Sequence, residues 1–294
     1  VYGGGLYFKA RPATTELLYR YDGSSATQVS GLDYPAHLAV FGSNLYLQGR
    51  AANGFELFRY NGSAVAEIAD IYSGVGSSLP AYLTVFGGKL YFAATDLADG
   101  RELWAYDGVA APVRASDINP GPGASNPTYL TVFGSTLVFQ ANDGAGTELW
   151  SHDGTAGGKI SAFGSTGGSV TLSPMAVYDG RLYFAGNDGA TGLELWCYDG
   201  ASVSQVKDLN PGAASGLAAP TYFAVYDGRL YFAGNDGATG LELYSTDGTD
   251  VSLVGDINPG LAGSSPAHLV VYDDTLYFAA NDGSSGAELW MYRN

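Results

Sequence analysis

The pair Glu-Leu occurs seven times along the 294-residue chain at nearly constant spacing. Its glutamates are Glu16, Glu56, Glu102, Glu148, Glu194, Glu242 and Glu288, with successive intervals of 40, 46, 46, 46, 48 and 46 residues. Ahead of each pair lies a short apolar run, such as Leu90-Tyr91-Phe92, Leu137-Val138-Phe139 or Leu230-Tyr231-Phe232. A period of this length means that one supersecondary unit is copied along the chain, and the unit dictates the fold.

Each unit holds four strand-like segments. Tyr82-Leu83-Thr84-Val85-Phe86 is followed by the turn Gly87-Gly88 and by Lys89-Leu90-Tyr91-Phe92. A polar loop leads to Glu102-Leu103-Trp104-Ala105-Tyr106, and Asp107-Gly108 turns the chain into a short fourth strand near Val113. Gly-Gly and Asp-Gly pairs tolerate the positive φ of tight hairpins. Aromatic and β-branched content agrees with strands, and no stretch has helical periodicity. Four strands per repeat, copied seven times, predict an all-β fold: a seven-bladed β-propeller of four-stranded antiparallel blades, spanning 1–294 as a single domain. Six full blades plus an extra hairpin is the alternative count. The chain opens at the end of a first strand and stops just after a third, so the termini are expected to be cut within the closing blades.

Charge narrows the partners. With 29 acidic and 13 basic residues the formal net charge is −16. Nucleic acid and anionic membrane surfaces both select basic patches, so both are disfavoured. No apolar run is long enough to span a membrane, so direct membrane insertion is not expected. The single cysteine, Cys197, excludes an intramolecular disulfide and has no basic neighbour to activate it. No Gly-x-Ser-x-Gly elbow, His-Glu-x-x-His or phosphate loop occurs.

The repeats resemble the ELWxxDGT family. Glu148-Leu149-Trp150-Ser151-His152-Asp153-Gly154-Thr155 fits that motif throughout. Glu102-Leu103-Trp104 with Asp107-Gly108, and Glu194-Leu195-Trp196 with Asp199-Gly200, fit except at the last position. The crossing segments Asp117-Ile118-Asn119-Pro120-Gly121 and Asp256-Ile257-Asn258-Pro259-Gly260 are also similar to the family. The resemblance implies a propeller and a bacterial extracellular, periplasmic or cell-surface setting. The first unit departs from it by lacking the Asn-Pro-Gly linker, and the fourth ends instead in Ala162-Phe163-Gly164-Ser165-Thr166-Gly167-Gly168.

Three sets of residues are candidate sites. The repeated glutamates read first as structural acceptors of backbone N–H groups. The alternative is calcium, the one cofactor the sequence suggests, with ligands from Asn-Asp-Gly loops and the glutamate that follows: Asp143 with Glu148, Asp188 with Glu194, Asp236 with Glu242, Asp282 with Glu288. The third set comes from aligning the Pro-x-aromatic starts of the first strands. His37, Tyr82, Tyr129, Tyr222 and His268 then share one repeat position and would ring a channel mouth able to stack on a ligand. The four tryptophans share another position and are expected to pack between blades.

Regular repeats carry no visible catalytic set. The expectation is therefore a non-enzymatic binding or scaffold propeller, a subunit or fragment of something larger, with protein subunits or a glycan as partner. A lectin-like glycan-binding propeller, and a lyase or hydrolase with a central-channel site, are the alternatives.

Overall fold

The computed structural model describes all 294 residues except the side chain of Ser30. The chain is built almost entirely of antiparallel strands. The first sheet has six, in sequence order: β1 (Leu6–Ala10), β2 (Leu17–Tyr21), β3 (Ala26–Phe41), β4 (Asn44–Ala51), β5 (Gly54–Tyr60) and β6 (Val65–Ala69). The second carries β7 (Ala81–Phe86), β8 (Lys89–Asp96), β9 (Gly100–Tyr106) and β10 (Val113–Ser116). The third carries β11 (Thr128–Phe133), β12 (Thr136–Asn142), β13 (Thr147–His152) and β14 (Gly157–Lys159). A 3-10 turn at Phe163–Thr166 precedes the fourth, made of β15 (Ser169–Val170), β16 (Ala176–Tyr178), β17 (Arg181–Asn187), β18 (Leu193–Tyr198) and β19 (Val203–Lys207). The fifth has β20 (Phe223–Tyr226), β21 (Arg229–Asn235), β22 (Leu241–Thr246) and β23 (Val251–Gly255). The last has three strands, β24 (Ala267–Tyr272), β25 (Thr275–Asn281) and β26 (Ala287–Tyr292).

The strands fall into two compact units. One comprises Val1–Gly144 with Trp150–Gly158, the other Ala145–Leu149 with Lys159–Asn294. Among the described residues no helix is long and apolar enough to cross a membrane.

The Leu-Tyr-Phe runs show why the strands are apolar on both faces. Side chains alternate across a strand. In β8, Leu90 and Phe92 enter one cluster with Tyr46, Leu57 and Tyr106. Tyr91, between them, enters another with Leu103, Ala105, Leu137 and Phe139. The second unit repeats the arrangement: Leu230 and Phe232 pack with Tyr183 and Leu195, whereas Tyr231 packs with Leu276 and Phe278. A sheet sandwiched between two others has no solvent face, so these strands lose the usual apolar–polar alternation. The tryptophans occupy the same interfaces: Trp104 and Trp290 lie against such clusters, and Trp196 meets Phe163 edge-on at 4.7 Å.

The departures from the repeat have structural counterparts. Where the first unit lacks its Asn-Pro-Gly linker, β3 runs on for 16 residues and serves two consecutive repeats. Where the fourth unit lacks Asp-Ile-Asn-Pro-Gly, the 3-10 turn takes its place.

Candidate functional site

The repeated glutamates are framework. Glu56, Glu102, Glu148, Glu194 and Glu242 have essentially no solvent exposure. Each carboxylate gathers the segment that crosses to the next repeat. Glu102 accepts hydrogen bonds from Ile118 N–H at 3.0 Å, Ser125 N–H at 2.9 Å and Ser125 Oγ at 2.6 Å. Glu56 does the same with Ile71 and Ser78, and Glu242 with Ile257 and Ser264. In the aberrant fourth unit Glu148 accepts from Phe163 N–H, Gly164 N–H and Ser161 Oγ, so the 3-10 turn supplies the donors that the Asn-Pro-Gly segment supplies elsewhere. Burial pushes the carboxyls of Glu56, Glu102 and Glu194 above the usual range, with the hydrogen bonds opposing it. Glu16 pairs with Lys9 at 3.1 Å, and Glu288 is exposed.

The Asn-Asp-Gly loops satisfy themselves. Asp236 Oδ1 accepts from Ala238 N–H and Thr239 N–H at 2.9 Å, and Asp188 and Asp282 are held alike. These bonds lower Asp236 and Asp282 to about 2. Among the described residues no three His, Cys, Asp or Glu side chains converge on a point where an ion could sit.

The aligned aromatic position is structurally distinctive. His37, Tyr82, Tyr129 and His268 have φ between 52° and 57°, in the left-handed region that non-glycine residues seldom occupy. The strand ladders skip at these residues, between Ala36 and Ala39, Ala81 and Thr84, Thr128 and Thr131, and Ala267 and Val270. Three residues earlier, Tyr34, Leu79, Asn126 and Ser265 are also left-handed. A bulge of this kind re-aims a side chain and costs on the order of 1 kcal/mol or more per strained residue. In the first unit the bulges set His37, Tyr82 and Tyr129 in a row, with ring centres 5.6 and 5.3 Å apart. In the second, His268 on its bulge lies 4.8 Å from Tyr222, which precedes β20 and has neither the left-handed backbone nor a ladder skip. His37 Nδ1 accepts the Tyr82 N–H at 3.5 Å, which leaves the proton on Nε2. Burial, with Arg101 and Lys9 nearby, holds His37 below the ordinary imidazole range, so it is neutral at pH 7.

Beside this row lies a cavity of about 490 Å³ lined by His37, Gln48, Thr95, Arg101 and Asn126 among others. Arg101 is the cavity-lining residue that repeat reading misses. The residue before each glutamate is Thr15, Phe55, Arg101, Thr147, Leu193, Leu241 and Ala287 in turn, so one repeat in seven carries a charge there. The signal lies in the repeat alignment, one position away from the motif. His152, by contrast, is buried against Tyr91 and takes no part in the row.

No protein-family model matches the chain, and no curated protein matches it significantly. Solved structures do. The chain is similar to a structure from a study of two prolyl endopeptidases (12% identity, TM-score 0.59), covering 99% of this chain and 48% of that one. It is similar to a puromycin hydrolase S511A mutant (16% identity, TM-score 0.55), covering 100% and 51%. It is also similar to the β-propeller domain of the Trilobed protease from Pyrococcus furiosus (11% identity, TM-score 0.50), covering 99% and 93%. The chain thus spans about half the length of the first two proteins. These likenesses place the fold among β-propellers. They also correct the functional expectation: the neighbours are peptidase and hydrolase structures, not the non-enzymatic binding or scaffold propellers, or lectins, that the repeats suggested. The expectation erred because structural glutamates and tryptophans dominate the repeat and say nothing about what the molecule serves.

Proposed function

We propose that this chain is a propeller of the peptidase type, which holds and orients a peptide substrate for bond cleavage carried out by a catalytic domain. In this reading the seven Glu-Leu units are seven blades. The observation that carries it is the donor-lined cavity flanked by the row of rings His37, Tyr82 and Tyr129, each turned out of its strand by a strained bulge. Rings in a row offer faces to apolar side chains, and the cavity beside them offers donors to carbonyl or carboxylate oxygens, the two needs of an extended peptide. The full-length match to roughly half of two hydrolases supports the same division of labour.

Cleavage itself is assigned elsewhere because none of the three histidines hydrogen-bonds to a serine, threonine or cysteine among the described residues. The test is photo-cross-linking of short unstructured peptides to the 294-residue chain, with sites mapped by mass spectrometry. Saturable labelling should centre on His37, Tyr82 and Tyr129 and diminish in Tyr82→Ala. Labelling scattered over the surface, or none that saturates, would refute the proposal.

A further inference from the structure

We propose that the Arg101 cavity is a carboxylate-binding site and that in a peptide substrate it receives the C-terminal carboxylate. The inference rests on the peptide-handling reading above.

The Arg101 side chain is not needed to build the repeat. The backbone at its position makes the contact that recurs from repeat to repeat. Arg101 O accepts from Ser125 and Asn126, as Phe55 O does from Leu79, Leu193 O from Leu217 and Leu241 O from Ser265. Nor is the side chain needed to open the cavity. In the second unit a cavity of about 530 Å³ is lined by Ser265, Ala267, His268, Asn281 and Ala287, with Ala287 at the position of Arg101. The same scaffold therefore makes the cavity without the cation.

The guanidinium is nevertheless fixed. Its Nη1 donates to Leu79 O at 2.7 Å and to Ser78 O at 3.4 Å. Leu79 is itself one of the strained left-handed residues and lies two residues before the strand that carries the Tyr82 bulge. Two carbonyls orient the group but do not neutralise it, and the side chain is half-buried, which works against its charge. Among the described residues no carboxylate pairs with it, although the chain has 29 acidic residues against 13 basic ones.

The remaining walls are suited to an anion. Gln48, Thr95 and Asn126 can each donate, and neutral His37 carries its proton on Nε2. Neither Asp nor Glu lines the cavity among the described residues. With Nη1 committed to carbonyls, Nε and Nη2 remain for the paired N–H···O bonds that guanidinium forms with a carboxylate.

The experiment is calorimetric titration of the 294-residue chain with N-acetyl-Ala-Ala-Pro-Ala, with the same peptide as its C-terminal amide, and with acetate. The acid should bind roughly tenfold or more tightly than the amide, the scale of a charge-assisted pair. Arg101→Gln should erase the difference. Thr95→Asp, which keeps Arg101 and its carbonyl anchors but tethers a carboxylate to the cavity wall, should erase it too, with circular dichroism unchanged. Equal binding of acid and amide would overturn the carboxylate site while leaving peptide handling intact. Acetate binding that is lost in Arg101→Gln, with no binding of either peptide, would uphold the carboxylate site and refute peptide handling. A preference for the acid that survives Arg101→Gln, or no binding of any of the three, would overturn the inference.

Discussion

Replacing Glu102 by alanine should cost far more stability than replacing Glu288, although both hold the same position in the repeat. Glu102 is fully buried and accepts three hydrogen bonds, from Ile118 N–H, Ser125 N–H and Ser125 Oγ. Alanine leaves the Ile118 N–H without an acceptor, at about 1–3 kcal/mol, and leaves Ser125 N–H and Oγ with only their longer bonds to Arg101 O, at 3.1 and 3.4 Å. Removing a buried carboxylate returns part of this, because burial already works against its charge. A net loss of about 2–4 kcal/mol follows from these terms. The Glu288 side chain is exposed and its carboxylate makes no hydrogen bond or ion pair among the described residues, so its alanine variant should lie within about 0.5 kcal/mol of the parent. Urea unfolding followed by tryptophan fluorescence reads both. Comparable losses at the two sites would refute the argument that the crossing segment is held by its glutamate; so would a negligible loss at Glu102.

Three further outcomes are expected. Leu79→Asn should raise stability by about 0.5–1 kcal/mol, because asparagine tolerates the left-handed φ of 49° that leucine resists and Asn126 already does so in the next repeat; thermal melting checks it. Gly54→Ala should destabilise by more than about 2 kcal/mol, since the new Cβ would meet Gly76 O at 1.7 Å and φ is 114°; a wild-type melting curve would contradict it. Acid should weaken the fold as Asp236 and Asp282 protonate. Their folded values of about 2 lie below the ordinary 3.8, so they stabilise above about pH 4 and that contribution fades toward pH 2. The raised glutamates act with the opposite sign, favouring the fold where they are protonated and losing that benefit as pH rises through their folded values. Asp236→Asn together with Asp282→Asn should therefore flatten the acid limb of a pH–stability profile.

The strand pattern is open to sequence reading because it depends on local chemistry. Leu90-Tyr91-Phe92 needs only a short apolar and aromatic run bounded by turns, and Asp107-Gly108 only a residue that accepts positive φ. The structural role of Glu102 is also readable, since a carboxylate repeated in every unit suits a repeated framework better than one reaction. The backbone at His37 and Tyr82 is not. The Pro-x-aromatic alignment finds the position, but nothing in the residue types announces a φ above 50° at a tyrosine, because that strain is imposed by the ladder around it. Arg101 escapes for a different reason. A repeat is recognised by what recurs, whereas a site in a repeat protein is recognised by what does not, and the arginine sits one residue outside the motif that draws the eye.

The 16-residue strand β3 has a consequence for how the molecule comes apart. Elsewhere in the first unit a loop intervenes between the last strand of one repeat and the first strand of the next, so one sheet can fray without peeling the other. At β3 one strand passes from repeat to repeat without a loop: residues 26–33 pair with β2, residues 33–41 pair with β4, and Asp33 pairs on both sides. Opening either strand pair frees Asp33 and pulls directly on the half that holds the other, with no loop to absorb the movement. The amides of β2 and β4 should therefore exchange with solvent deuterium at a common rate, as one cooperative block, while β6 and β7, joined through the loop at 70–80, exchange independently.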